Sequence, residues 1–177
     1  GFYVARNFSY TGAEFEDMQV NLSENQVAMY DGAVALLSDI RDGMEEAAAL
    51  TGSDNAWNRA FWGSVQRFFK ILCVSMKVDS VIQEAKQSLE QGYAIVIGLQ
   101  STGEAAVESL DLKPGRSYNL VSVTREILLN LVRNHFPLGK DKNVSAAAAD
   151  MVREKRDALV ESILSANLPG NFLDELI

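Results

Sequence analysis

The chain reads Tyr93-Ala-Ile-Val-Ile-Gly-Leu-Gln-Ser-Thr-Gly-Glu-Ala105 just past its midpoint. The first part is a continuous run of β-forming residues, which is typical of a strand covered on both faces. From Gly98 to Gly103 the run breaks into polar residues that open a new helix, and such a turn suits phosphate. A helical pattern precedes the run, and Gly92 fits the left-handed position just past a helix C-terminus. The order helix, strand, turn, helix predicts an α/β fold with a parallel sheet.

Several blocks of sequence around this unit resemble the strawberry notch family, whose members are helicase-like proteins of superfamily 2. The blocks follow one another in the family's order over nearly the whole chain. They are Phe2-Tyr-Val-Ala-Arg6, Ser9-Tyr-Thr-Gly-Ala-Glu-Phe15, Phe61-Trp-Gly-Ser-Val-Gln-Arg-Phe-Phe-Lys70, Val96-Ile-Gly-Leu-Gln-Ser-Thr-Gly-Glu-Ala105 and Leu168-Pro-Gly-Asn-Phe-Leu-Asp-Glu-Leu-Ile177. Two positions depart from the family pattern: Val65 stands where histidine is usual, and Ala106 where arginine is usual.

The resemblance implies a helix-rich α/β fold: an incomplete RecA-like second lobe of a P-loop NTPase helicase, with a core of parallel strands. Residues 1–22 are then the end of the first lobe and a bridge strand, residues 23–77 are bridging helices, and residues 78–177 are the N-terminal part of the second lobe. The segment 93–99 becomes the first strand of that lobe. Because the chain starts without methionine and stops at Leu176-Ile177 in what reads as a first helical turn, we expect a fragment.

Composition limits the class of protein. A chain of 177 residues with 47% hydrophobic content can bury one substantial core. No apolar run approaches membrane-spanning length and no signal peptide is visible, so we expect a protein that is neither membrane-bound nor secreted. The single cysteine, Cys73, lies in the apolar run 68–76, where we expect a buried thiol that packs as a small hydrophobe and has no catalytic role. This fits an intracellular compartment. By resemblance it is the nucleus, with the bacterial cytoplasm as the alternative.

Charge is distributed unevenly along the chain. The net charge is −8, and residues 1–56 alone carry 2 basic and 10 acidic side chains. Residues 57–100 carry 5 basic and 3 acidic side chains, and residues 101–177 carry 9 and 11. The acidic front is expected to be a solvated face, whereas the middle of the chain is suited to a polyanion.

Apolar spacing predicts the other elements. Residues 16–22 alternate as a half-exposed strand, and Ser23 with Gln26 forms a capping box for a helix. Later helices are predicted at about 57–76, 79–91 and 123–134, and a long one begins after Ser145. The buried stripe expected for the first helix is Val27, Tyr30, Val34, Leu37 and Met44, and that for the second is Trp57, Phe61, Val65, Phe68, Leu72 and Met76.

The resemblance places a nucleic-acid site at the turn Gln100, Ser101, Thr102 and Gly103, which corresponds to helicase motif IV. Backbone amides at the start of the next helix and the two hydroxyls suit a phosphate. An ordinary helix cap by Ser101 or Thr102 is an equally good interpretation. Arg67 and Lys70 are the basic side chains expected nearby, with a solvated basic face as the alternative. No metal site is expected, because the single histidine, His135, has no second ligand at helical spacing.

The sequence contains no phosphate-binding loop with its lysine, no acidic box for magnesium and no arginine finger. ATP and Mg²⁺ are therefore expected only in the parent protein, by resemblance, and the isolated chain should neither hydrolyse ATP nor bind it tightly. Two functions remain. The parent is either an ATP-dependent motor acting on DNA or RNA in chromatin and transcription, or a coregulator that keeps the fold for protein contacts. The expected partners are nucleic acid, the first helicase lobe, and chromatin or transcription factors.

Overall fold

The computed structural model describes residues 12, 14–98, 122–139 and 144–170. Within these ranges the chain forms five α-helices and no β-strand. The helices are α1 (Glu24–Thr51), α2 (Ala56–Ser75), α3 (Val78–Glu90), α4 (Val123–His135) and α5 (Ala146–Ser165). The helix-rich part of the predicted fold is confirmed, and the helices predicted at about 57–76, 79–91 and 123–134 and those after Ser23 and Ser145 lie close to the observed ones. The helix predicted after the turn at Gly103 lies outside the described residues.

Four of the helices form an up-and-down bundle. Helix α1 packs against α5, α5 against α4 and α4 against α2, while the contact between α1 and α2 is the smallest of the four. Each neighbour is antiparallel: the N-terminus of α1 meets the C-terminus of α2 through Gln26 Nε2, which donates to the carbonyl of Met76 at 3.0 Å. The start of α4 meets the end of α5 in the same way, because Ser122 Oγ donates to the carbonyl of Pro169 at 2.6 Å.

The core lies between these helices and follows their apolar periodicity. In α2 the predicted stripe is confirmed except for Val65, which is half-buried. The largest side chains with no exposure come from all four bundle helices: Phe68, Ile40, Met44, Leu72, Leu128, Leu131, Ile163, Val132 and Val152. Such a core explains why this part of the chain folds without a sheet: each helix buries its stripe against two neighbours.

Local signals explain where the bundle helices begin and end. The predicted capping box is present: Ser23 Oγ accepts from the Gln26 backbone N–H at 3.3 Å, and Gln26 Oε1 accepts from the Ser23 backbone N–H at 2.9 Å. Ser122 and Ser145 cap α4 and α5 through their hydroxyls. Helix α1 ends at Thr51 and is followed by Gly52, whose φ of +65° is the left-handed conformation that suits glycine.

The structure does not show the buried strand predicted at 93–99 in the residues that are described, 93–98. They are irregular, only Ile95 is half-buried, and Val96 is 95% exposed. The predicted burial of Ile97 fails for the same reason, since 42% of it is exposed. A strand needs neighbours to complete its hydrogen bonds, and no part of the described chain supplies one. The half-exposed strand predicted at 16–22 is likewise irregular over its whole length.

Two burial predictions also need correction. Of the stripe expected for α1, Leu37 and Met44 are buried but Val27, Tyr30 and Val34 are exposed. The buried positions of α1 are instead Ala33, Leu36, Leu37, Ile40, Gly43, Met44, Ala47 and Thr51. The expected row of α1 therefore runs onto the side that faces α2, where packing is least extensive. Cys73 is exposed rather than buried, because it lies on the outer side of α2.

Candidate nucleic-acid interface

The outer face of α2 carries a row of basic side chains. Arg59, Lys70 and Lys77 follow one another at spacings of eleven and seven residues, which places them on one side of a helix. All three are exposed, and Lys77 stands just past the end of α2. Between them lie Gly63, Gln66 and Cys73, which are also exposed. We call Arg59, Lys70 and Lys77 the basic row.

The charge of this face is not neutralised within the helix. Helix α2 contains no Asp or Glu. The ion pairs between described residues all involve α5: Arg153 with Asp150, Lys155 with Glu46, and Arg156 with Asp157. Within the described ranges no acidic side chain pairs with the basic row, which presents positive charge to solvent on a protein whose net charge is −8.

Arg67 lies beside the basic row and is partly held in place. Its Nη2 donates to Ser64 Oγ at 3.3 Å, and Ser64 is buried. Arg67 is an exposed residue, so the other N–H donors of its guanidinium can bind an anion. Of the predicted site, the structure thus shows Arg67 and Lys70 on the outside of α2, accessible and three residues apart.

The remaining predicted site residues, Gln100, Ser101, Thr102 and Gly103, lie outside the described residues, so their proximity to Arg67 and Lys70 stays a prediction. The sequence interpretation overlooked Lys77 as a member of the basic row. Its spacing of seven residues from Lys70 is the signal that identifies it.

The aromatic residues of α2 separate into two groups. Phe61 and Phe68 are buried in the core, as predicted, but Trp62 is 50% exposed at the border of the outer face. Phe61 and Trp62 contact each other edge to face, with ring centroids 5.2 Å apart. An exposed indole beside basic side chains is a feature that can stack on a base, although it serves equally well in a protein contact.

Other chemistry is lacking in the part of the chain that the structure describes. No group of three or more His, Cys, Asp or Glu side chains comes together to hold a metal ion there. None of the described helices has the length and apolar character needed to cross a membrane. What the geometry shows is a helix face with exposed basic side chains.

Comparison with known proteins gives a consistent result. The chain is 39% identical over 142 residues to "Protein strawberry notch homolog 1" of Rattus norvegicus, which covers 77% of this chain. It is 36% identical over 165 residues, or 89% of this chain, to "Protein strawberry notch homolog" of Caenorhabditis elegans. It is 40% identical over 144 residues, or 78% of this chain, to "Protein FORGETTER 1" of Arabidopsis thaliana.

This chain belongs to the strawberry notch family. It spans about a tenth of the length of these relatives, 11%, 9% and 11% respectively. No protein-family model matches the chain, and no solved structure does. The bundle of α1, α2, α4 and α5 therefore corresponds to one region of these much longer relatives.

Proposed function

We propose that this region belongs to an ATP-dependent, helicase-like motor that acts on nucleic acid in chromatin and transcription. In this proposal the basic row of α2, with Arg67, contacts the phosphate backbone. The observation that carries the proposal is the outer face of α2, which has exposed basic side chains and no acidic residue. Contacts of this kind provide affinity without base recognition, as a motor that moves along any sequence requires.

The motor itself is assigned to other parts of the protein. The phosphate-binding loop with its lysine, the acidic box that holds Mg²⁺ and the arginine finger would come from the remaining nine-tenths of the chain. The exposed apolar segment 93–97 supports a role in a RecA-like lobe, because such a segment becomes stable once parallel strands from elsewhere cover it. The turn Gln100 to Gly103 would then follow the first strand of that lobe, where Ser101 and Thr102 hold a phosphate. The nucleus is the compartment that such a function requires.

A coregulator without motor activity is the second candidate, and the exposed apolar side chains along α1 favour it. The two candidate functions differ in whether the full-length protein hydrolyses ATP. Substitution of the phosphate-loop lysine in the full-length protein abolishes nucleic-acid-stimulated ATP hydrolysis if the protein is a motor. A full-length protein that lacks such hydrolysis, with intact protein contacts, supports the coregulator.

The phosphate contact is tested by salt titration of nucleic-acid binding by the full-length protein. Each phosphate contact that is lost lowers the slope of log K against log salt by about 0.9 for duplex DNA and about 0.7 for single strands. Lys70→Ala and Arg67→Ala should each lower the slope by about that amount, roughly equally for all sequences. Arg133→Ala is the control, because Arg133 is also exposed but lies on α4.

An unchanged slope for both α2 variants would remove α2 from the interface. Ser101→Ala with Thr102→Ala tests the turn separately, since it weakens binding only if the hydroxyls contact phosphate. If affinity falls in the turn variant but not in the α2 variants, the protein binds nucleic acid through the turn and not through α2.

A further inference from the structure

The side of the bundle between α1 and α2 carries exposed apolar side chains from both helices. The two helices run antiparallel and touch through Tyr30 and Phe69, whose ring centroids are 5.2 Å apart. Beside this contact, Val27 and Val34 of α1 are each 46% exposed, and Trp62 of α2 is 50% exposed. Phe69 and Val65 of α2 are half-buried on the same side. We call this surface the α1–α2 groove.

The groove differs from the other sides of the bundle. Helix α1 contacts α5 much more extensively than α2, and α2 contacts α4 more extensively than α1. Apolar side chains facing these well-packed sides, such as Ile40 and Leu128, have no exposed surface. Rows of half-exposed apolar side chains on two adjacent helices are the arrangement into which the apolar face of a third helix packs.

The two edges of the groove have opposite charge. Along the α1 edge, Glu24, Asp31 and Asp42 follow one another at spacings of seven and eleven residues, so they share one side of the helix. All three are exposed, and none of them forms an ion pair among the described residues. Along the α2 edge lies the basic row, with Arg59 and Lys70. A helix in the groove would therefore meet acid on one edge and base on the other.

A polar cleft lies toward the loop that joins α1 to α2. It has a volume of about 360 Å³ and is lined by Arg41, Glu45, Ala48, Ala49, Ser53, Asn55, Trp57 and Asn58. Trp57 is only 8% exposed, and its buried Nε1–H has no acceptor in the described chain. The cleft thus marks the polar end of the same surface.

We propose that the α1–α2 groove docks an amphipathic helix of a partner protein. The apolar face of that helix lies on Tyr30, Val34 and Trp62, and Lys or Arg side chains run along its α1 edge. Its other edge is free of basic residues, because a second basic row would meet Arg59 and Lys70. The distance from Val27 to Arg41 is fourteen residues of helix, or about 21 Å, so about four turns reach the cleft.

The single basic edge also sets the direction of the partner helix. A helix laid on the groove in the opposite direction would exchange its edges and bring Lys next to the basic row. The docked helix borders the basic row, so this inference does not rest on the proposed nucleic-acid contact but shares Arg59 and Lys70 with it.

The probe is a stapled helical peptide of roughly 18 residues with Leu on one face, Lys along one edge and Gln along the other. Binding is measured by calorimetry and by the fluorescence of the two tryptophans. Trp62 lies in the α1–α2 groove and Trp57 lines the cleft at its end. A peptide with Glu in place of Lys should bind about tenfold more weakly or worse, and one with Lys on both edges should also bind more weakly. The affinity of the Lys/Gln peptide should fall with rising salt.

Two pairs of variants locate the contact on the protein. Val34→Ser should weaken binding at least about fivefold, whereas Leu164→Ser on α5 should have no effect, although Leu164 is 45% exposed and so closely matches Val34. Asp31→Asn should weaken binding and its salt dependence, whereas Glu161→Gln on α5 should change neither. Each of these residues is exposed, so the variants are expected to fold.

Three outcomes would overturn the proposal. The first is equal binding of the Lys-edged and Glu-edged peptides. The second is an equal response of Val34→Ser and Leu164→Ser. The third is a chain that dimerises in sedimentation experiments and becomes monomeric on Val34→Ser, since the occupant of the groove would then be a second copy of this chain.

Discussion

The bundle and the segment 78–98 have similar apolar patterns but very different surroundings. Helix α3 repeats Val78, Val81, Ile82, Ala85 and Leu89 as regularly as any bundle helix repeats its core positions. In the bundle helices the side chains at these positions are buried, whereas in α3 only Val78 is buried and Leu89 is 59% exposed. The same exposure continues through residues 93–97. Apolar periodicity therefore reports which face a segment can bury, and the supply of a partner decides whether it does.

The largest effect is expected at the centre of the bundle. Phe68→Ala should lower the free energy of unfolding by about 3–5 kcal/mol, because Phe68 is 0% exposed and its removal leaves a cavity between α2 and its neighbours. Leu89→Ala in α3 is the matched truncation at an exposed apolar site and should cost less than about 0.5 kcal/mol. Urea denaturation of the two variants measures the difference. Similar losses in both would show that α3 is as well packed as the bundle.

The success and failure of the sequence interpretation follow from the same difference. Helix existence, the capping box at Ser23 and the stripe of α2 apart from Val65 depend on local periodicity and hydrogen bonding, and the structure confirms them. Spacing alone predicts burial of Val27, Tyr30 and Val34 of α1, because spacing cannot tell which side of a helix has a partner. Cys73 was assigned to the core for the same reason, since its apolar neighbours in sequence lie on other sides of α2.

The candidate site was predictable only in part. Arg67 and Lys70 were identified because a basic helix face can be deduced from spacing alone. Lys77 belongs to the same row but stands beyond the end of α2, where a count confined to one helix does not reach. The pairing of Tyr30 with Phe69 joins residues that are distant in sequence, so the groove they help to form needed the structure.

A smaller effect is expected where the bundle helices are joined at their ends. Ser122 Oγ accepts from the Arg125 backbone N–H and also donates to the carbonyl of Pro169, whereas Ser145 only caps its own helix. Ser122→Ala should therefore cost about 2 kcal/mol, because it leaves groups of a buried site unpaired, and Ser145→Ala about 0.5–1 kcal/mol. Thermal unfolding of both variants, with Ser162→Ala on the exposed side of α5 as the control, tests this order. A cost for Ser145→Ala equal to that of Ser122→Ala would mean that the contact with Pro169 contributes nothing.

The smallest change in the free energy of unfolding of this chain is expected for a substitution at Ile97. Ile97 lies in the exposed segment after α3, so Ile97→Asp should change the unfolding free energy of the isolated chain by less than about 0.5 kcal/mol. Leu131→Asp in α4, at a site with no exposure, should prevent folding, because it buries an unpaired charge.

The same substitution in the full-length protein tests the proposed RecA-like lobe. If strands from the rest of the protein cover residues 93–97, Ile97→Asp buries a charge there and should give an unstable or insoluble protein. A full-length Ile97→Asp protein that melts like the wild type would exclude a buried strand at this position. A clear loss of stability already in the isolated chain would instead show that the segment packs on the bundle, and that the contrast between the two regions is smaller than the exposed side chains indicate.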